Sequence, residues 1–229
     1  MNNTKEIDTV IKLINHLKEF TTPKRFDLFN DIIQNRTRYL TVVLEDIYQP
    51  HNASAVLRTC DCFGIQDVHI IENRNTYEVN PDVALGSSKW VNMIKYNNLD
   101  NNTIEAFNSL KDQGYQIIAT TPHKSDCLLE ELPLDKKTAL VFGTELNGLS
   151  KIAIDHADGY VKIPMHGFTE SFNISVSASI ILYYLTEKMR STGISWQLSD
   201  EEKNAIMLEW LRKTIKRSDL IEREFMKIS

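Results

Sequence analysis

The chain has 229 residues, 42% apolar and 25% charged, with a formal net charge of −5, which suits one compact domain with appendages or two small domains. No stretch approaches the roughly 18 consecutive apolar residues a membrane span needs, and the start, Met1-Asn2-Asn3-Thr4-Lys5-Glu6, lacks a basic-then-apolar leader, so a cytoplasmic location without membrane attachment is expected. Cys60, Cys62 and Cys127 make neither a disulfide framework nor a structural zinc set, and are expected to be packing residues.

Ile7, Val10, Ile11, Ile14 and Leu17 recur at helical spacing, which predicts an amphipathic first helix. Pro23 restarts the chain as a first helical turn, and Phe26, Phe29, Ile32 and Ile33 carry a second helix. Residues 1–38 thus form a helical extension to a body spanning 39–190.

In that body strand and helix signals alternate. Leu40-Thr41-Val42-Val43-Leu44 reads as a buried strand. Ala53 to Phe63 reads as a helix that stops at Gly64, with Asn52 as its cap. Val68 to Ile71 and Trp90 to Lys95 are further strands. Thr103 is expected to cap a helix carrying Ile104, Phe107 and Leu110, which Gly114 ends. Gln116 to Thr120, Ala139 to Phe142 and Tyr160 to Ile163 complete the strands, and Ser150 and Ser171 are expected to begin the helices after the last two. Near-continuous apolar strands separated by helices imply an α/β body with a parallel sheet covered on both faces. Residues 191–229 are a second helical extension: Trp196 is expected to pin the connecting loop, and Ser199-x-x-Glu202 is a capping box before Ile206, Leu208, Trp210, Leu211 and Ile215.

Charge is unevenly placed. Residues 39–187 hold 10 Lys and Arg against 19 Asp and Glu, and the flanks hold 16 against 12. Basic ends on an acidic body suit a polyanion gripped at its backbone.

No Gly-x-Gly-x-x-Gly follows the first strand and there is no Gly-x4-Gly-Lys-Ser/Thr, which speaks against dinucleotide and P-loop chemistry. No His-Glu-x-x-His or Cys/His cluster supports a metal, and His51, His123, His156 and His166 are expected to be surface residues. Three polar segments with glycine or proline remain, each beside a strand terminus, where ligands of open α/β sheets bind. They are Gln49-Pro50-His51-Asn52-Ala53-Ser54-Ala55-Val56-Leu57-Arg58, then Leu140-Val141-Phe142-Gly143-Thr144-Glu145-Leu146-Asn147-Gly148-Leu149-Ser150, and Ile163-Pro164-Met165-His166-Gly167-Phe168-Thr169-Glu170-Ser171-Phe172-Asn173-Ile174-Ser175-Val176-Ser177-Ala178. Helix capping alone accounts for Asn52, Ser150 and Ser171. It does not account for the glycine-bracketed Glu145, or for Asn173 as a residue already inside a helix.

In order and spacing these segments resemble motifs one, two and three of the SpoU branch of the SPOUT RNA methyltransferases. The resemblance runs from about Thr41 to Arg190 and extends into Leu208-Glu209-Trp210-Leu211-Arg212-Lys213. It implies a deep trefoil knot in the C-terminal part of the sheet, and a homodimer whose sites are completed across the interface. It also implies methyl transfer from S-adenosylmethionine to a ribose 2′-hydroxyl, with tRNA as substrate and guanosine 18 as target. Arg58, Asn52, Glu145, Ser171 and Asn173 match the family's catalytic positions. The family's arginine is often credited with accepting the hydroxyl proton, but a guanidinium stays protonated, so Arg58 is expected instead to clamp the ribose and its phosphate. Thr120, Gly143, Ile163 and Phe172 match its donor-binding positions. Phe172 stands where leucine is usual, and Thr144 where Asn, Gln or Ala is commoner. Two alternatives stay open: methylation of rRNA or another tRNA position, and a non-catalytic RNA-binding protein on the same fold.

Overall fold

A computed structural model describes residues 2–121 and 127–228; His123 lies outside the described residues. The chain divides into two compact units, one made of residues 1–36 and 197–229, the other of 37–196. The extensions expected at either end of the chain therefore fold together as a single helical unit.

That unit opens with α1 (Asn2–Lys18) and α2 (Pro23–Ile33). Pro23 sits in the first turn of α2, and the Thr22 side chain accepts from Arg25 N at 3.3 Å. In the other unit come β1 (Leu40–Glu45), α3 (Pro50–Cys62), β2 (Asp67–Ile71), the short α4 (Pro81–Ala84), β3 (Asn92–Tyr96), α5 (Asn102–Asp112) and β4 (Tyr115–Thr120). Next are β5 (Cys127–Leu128), β6 (Lys137–Phe142), α6 (Lys151–His156), β7 (Gly159–Lys162) and α7 (Ile174–Ser191). The chain then returns to the helical unit with α8 (Asp200–Thr214) and α9 (Ser218–Ile228).

The capping box forms as read: Glu202 N donates to Ser199 Oγ at 3.2 Å, and Ser199 N to Glu202 Oε2 at 2.9 Å. Trp210 is 1% exposed and meets Phe29 of α2 edge-on at 5.5 Å between ring centroids, with the Arg36 guanidinium 5.3 Å over its indole. Ile215 does not continue the helix. It is extended, Arg217 turns through φ 58°, and α9 starts afresh, tied back by a two-pronged ion pair from Arg212 to Glu222.

Among the described residues the α/β unit holds a sheet of seven strands in the order β3-β2-β1-β6-β4-β7-β5, every pairing parallel. Side chains alternate between two faces, and both faces are covered. On one, Leu40, Val42 and Leu44 of β1 with Leu140 and Phe142 of β6 pack under α3 and α7. On the other, Val43, Ala139 and Val141 pack under α5 and α6 through Phe107, Leu110 and Ala153. Trp196 joins the first cluster and its carbonyl accepts from Thr37 Oγ1 at 2.7 Å.

Several boundaries differ from expectation. Pro50, with φ already set for a helix, begins α3 ahead of Asn52, so Gln49 is the N-cap and Asn52 lies in the first turn. Asn101, not Thr103, caps α5. Ser150 caps α6 as read. Ser171 stays in the loop, and Asn173, expected inside α7, is its N-cap. Cys60 is in the core, but Cys62 is exposed. His51, His156 and His166 are exposed. No helix among the described residues is long and apolar enough to cross a membrane.

Candidate active site

The carboxyl ends of β1, β6 and β7 deliver the three polar segments to one edge of the sheet. β1 and β6 are neighbours, so their loops emerge side by side. Asn52 and Glu145, 93 residues apart, meet there: Asn52 Nδ2 donates to Glu145 Oε1 at 2.5 Å and to Gln49 Oε1 at 2.8 Å. From the loop after β7, Asn173 Nδ2 donates to the same Glu145 oxygen at 2.7 Å and to Asn52 Oδ1 at 3.1 Å. Asn173 Oδ1 meanwhile accepts from Ser175 N at 2.9 Å and Ser175 Oγ at 2.7 Å, so one side chain caps α7 and closes a triad with Asn52 and Glu145. Glu145 Oε2 has no hydrogen bond among the described residues.

The loop bearing Glu145 is a tight one. Thr144 and Gly148 exchange main-chain hydrogen bonds at 2.9 Å in both directions. Gly148 has φ +67°, and a Cβ on Gly143 would collide with the main chain of Gly148 and Leu149. Both glycines are thus required by the turn that presents the carboxylate. Below it, buried Glu45 accepts from Ser150 N and Ser150 Oγ, each at 2.8 Å, and from Thr103 Oγ1 at 2.6 Å, joining the loop after β6 to the end of β1.

Beside the triad lies a cavity of about 330 Å³ between the loops after β4, β6 and β7, within the range of small-molecule sites. Thr120, Gly143, Ile163 and Phe172, the four expected donor positions, all line it, as do Glu145 and Ser171. Thr120 is held by its hydroxyl to Val141 O at 2.8 Å. The wall mixes apolar side chains such as Phe142, Val161 and Ile181 with polar Thr121, Ser177 and Glu170, the composition of a small-molecule site.

Arg58 is the candidate that stands apart. It lies six residues beyond Asn52 on α3, about 9 Å along the helix and on a different side of it. It is exposed, with no hydrogen bond or ion pair among the described residues. Ser171 lines the cavity and is likewise exposed. Among the described residues no group of three His, Cys, Asp or Glu could hold a metal.

Three contributors went unread in the sequence. Gln49 orients Asn52, Glu45 joins two loops, and Asp46, at φ 53°, accepts from Asn73 N, Arg74 N and Asn75 N at 2.7, 2.8 and 3.4 Å. The pair Glu45-Asp46 closing an apolar strand was the available signal.

Residues 39–183 match a family pattern described as the SpoU rRNA Methylase family. The chain is similar to the tRNA (guanosine(18)-2'-O)-methyltransferase of Borreliella burgdorferi, 44% identical over 215 residues that cover 94% of this chain and 97% of that protein. The enzyme of the same name from Thermus thermophilus is 34% identical over 86% of this chain and all of its own length. The fold matches the crystal structure of the TrmH/SpoU tRNA modifying enzyme of A. aeolicus with a TM-score of 0.75 at 32% identity, covering 84% of this chain and 98% of that one.

Proposed function

We propose that this chain, which belongs to the SpoU rRNA Methylase family, transfers a methyl group from S-adenosylmethionine to the ribose 2′-hydroxyl of guanosine 18 in tRNA. The observation that carries this is the triad of Asn52, Glu145 and Asn173 on the rim of a cavity walled by Thr120, Gly143, Ile163 and Phe172. The choice of tRNA is supported by relatives whose similarity covers 86–94% of the chain, more than the methylase region of residues 39–183 alone.

When bound, S-adenosylmethionine supplies an electrophilic sulfonium methyl. The protein's part is placement. Gly143 and Gly148 keep the main chain close to the cavity, and main-chain groups at Thr120, Ile163 and Phe172 hold the donor. Glu145 Oε1 is occupied by two amides, which fixes the carboxylate and leaves Oε2 to accept from the ribose. Holding hydroxyl and methyl in line lowers the barrier by several kcal/mol, of the ~7–11 kcal/mol that positioning can supply. A fixed guanidinium stabilises the developing alkoxide and grips the adjacent phosphate. Arg58 of the same chain sits apart from the triad, so that guanidinium is Arg58 of the partner subunit in a homodimer with a two-fold axis.

A C-terminal knot belongs to the same proposal, supported by the insertion of β6 between β1 and the earlier β4. The helical unit, with Lys216 and Arg217 between α8 and α9, provides backbone contacts to tRNA. A cytoplasmic location belongs to the same proposal. Incubating an unmodified tRNA transcript with protein and donor, then separating its nucleosides by mass spectrometry, tests the assignment. A gain of 2′-O-methylguanosine is expected; no gain of any ribose-methylated nucleoside overturns it.

A further inference from the structure

Three cavities run into one another through shared walls. The donor cavity shares Thr144 to Asn147 and Ile174 with a second, which also contains Asn52 and Tyr48. That one shares Tyr48, Gln49 and Asn75 with a third, of about 600 Å³, whose wall continues through His51, Arg74 and Glu78. No donor-cavity residue lines the third. The order is therefore donor, triad, then a roomy outer cavity for which the methyl transfer described above has no use.

Two residues give the outer cavity its chemistry. Tyr48 is 75% exposed, and its hydroxyl makes no hydrogen bond among the described residues. A phenol ring held beside an active-site rim and left in water is a stacking platform. Arg74 is exposed, and its guanidinium has neither hydrogen bond nor ion pair among the described residues. Both are positioned by one side chain. Asp46, two residues before Tyr48, gathers the main-chain N–H groups of residues 73–75, and Asn75 Nδ2 donates back to Asp46 O at 2.8 Å. The loop carrying Arg74 is thus clamped to the strand end that carries Tyr48. Glu78 lies on the same wall and repels an anion, which leaves the Arg74 side for one.

We propose that the outer cavity takes a nucleotide adjoining the target in the RNA strand, its base stacked on Tyr48 and its phosphate paired with Arg74. This rests on the RNA-methylating function proposed above, because the triad must hold the target ribose for its neighbour to fall here. The subsite selects for an unpaired strand, since a base inside a helix has no free face to stack.

The test is equilibrium binding of a fluorescently labelled tRNA transcript, without donor, to the full-length protein and to Y48A, Y48F and R74A. Y48A should weaken binding about 5- to 100-fold, and Y48F, which keeps the ring, should restore it to within about twofold of wild type. R74A should weaken binding and reduce the slope of log affinity against log salt by about one. In turnover, Y48A should raise the KM for tRNA and leave the KM for donor unchanged. Equal binding by Y48A and wild type, or equal loss in Y48A and Y48F, overturns the subsite. Failure of the functional assignment looks different: wild-type protein would leave the transcript unmethylated, while the ranking of Y48A against Y48F in binding would still decide the subsite.

Discussion

Asn173 donates its side-chain amide to Oε1 of Glu145 at 2.7 Å, the same oxygen that takes Asn52 Nδ2 at 2.5 Å. Two neutral amides on one carboxylate oxygen fix its plane and leave the other oxygen without a hydrogen bond among the described residues. Asn173 also caps α7 through Ser175 N. Replacing it by alanine should remove both functions: about 1 kcal/mol of stability from the lost cap, and about tenfold to hundredfold in kcat/KM from the lost donor to a charged group. Asn173→Asp keeps the cap acceptor but sets a carboxylate against Glu145. Thermal melts together with methylation rates separate the two effects, since the aspartate variant should fold and fail to turn over.

Gly143 has no room for a side chain, because the main chain of Gly148 and Leu149 fills the place of its Cβ. Gly143→Ala should spread the loop and abolish donor binding by calorimetry. Gly148→Ala, in open space but at φ +67°, should cost about 1 kcal/mol of strain and weaken donor binding less. Equal donor affinity in Gly143→Ala and wild type would show that the loop does not shape the donor cavity.

Arg58 is exposed and unpaired among the described residues, so Arg58→Ala should change stability by no more than about 0.5 kcal/mol. Donor affinity should be retained and most turnover lost. Because its guanidinium is proposed to serve the other subunit's site, mixing Arg58→Ala with Asn173→Asp should restore activity well above that of either variant alone: a mixed dimer then holds one intact site. No recovery on mixing contradicts shared sites.

His69 is a built-in acid sensitivity of the sheet. Burial pushes its imidazole down to about 4, against a smaller upward pull from Asp67, and its Nδ1 lies 3.0 Å from Tyr96 Oη. The unfolded chain, with an ordinary imidazole near 6.5, takes up a proton across this window that the folded chain refuses. Stability is therefore full above pH ~6.5 and falls as pH drops toward about 4, by about 2 kcal/mol between pH 7 and pH 5. Urea unfolding at the two pH values should show this extra loss in wild type and not in His69→Gln.

The strands were legible because β1, β2, β4 and β6 are short apolar runs and both their faces are buried. The capping box at Ser199 and Glu202 was legible for the same local reason. Caps that depend on competition between neighbours were less so. Pro50 took the first helical position ahead of Asn52, and Asn173 took the cap expected of Ser171. The triad joins residues 93 and 121 positions apart, which no periodicity encodes; motif order and spacing supplied it. The clamp from Asp46 to residues 73–75 depends on a left-handed aspartate and a loop 27 to 29 residues away, and nothing local announces either.

Transfer of labelled methyl from S-adenosylmethionine to two tRNA transcripts, differing only in a 2′-deoxyguanosine at position 18, tests the central claim most directly. The full ribose transcript should accept label stoichiometrically and the deoxy transcript none. Equal labelling of both would contradict methylation of that hydroxyl.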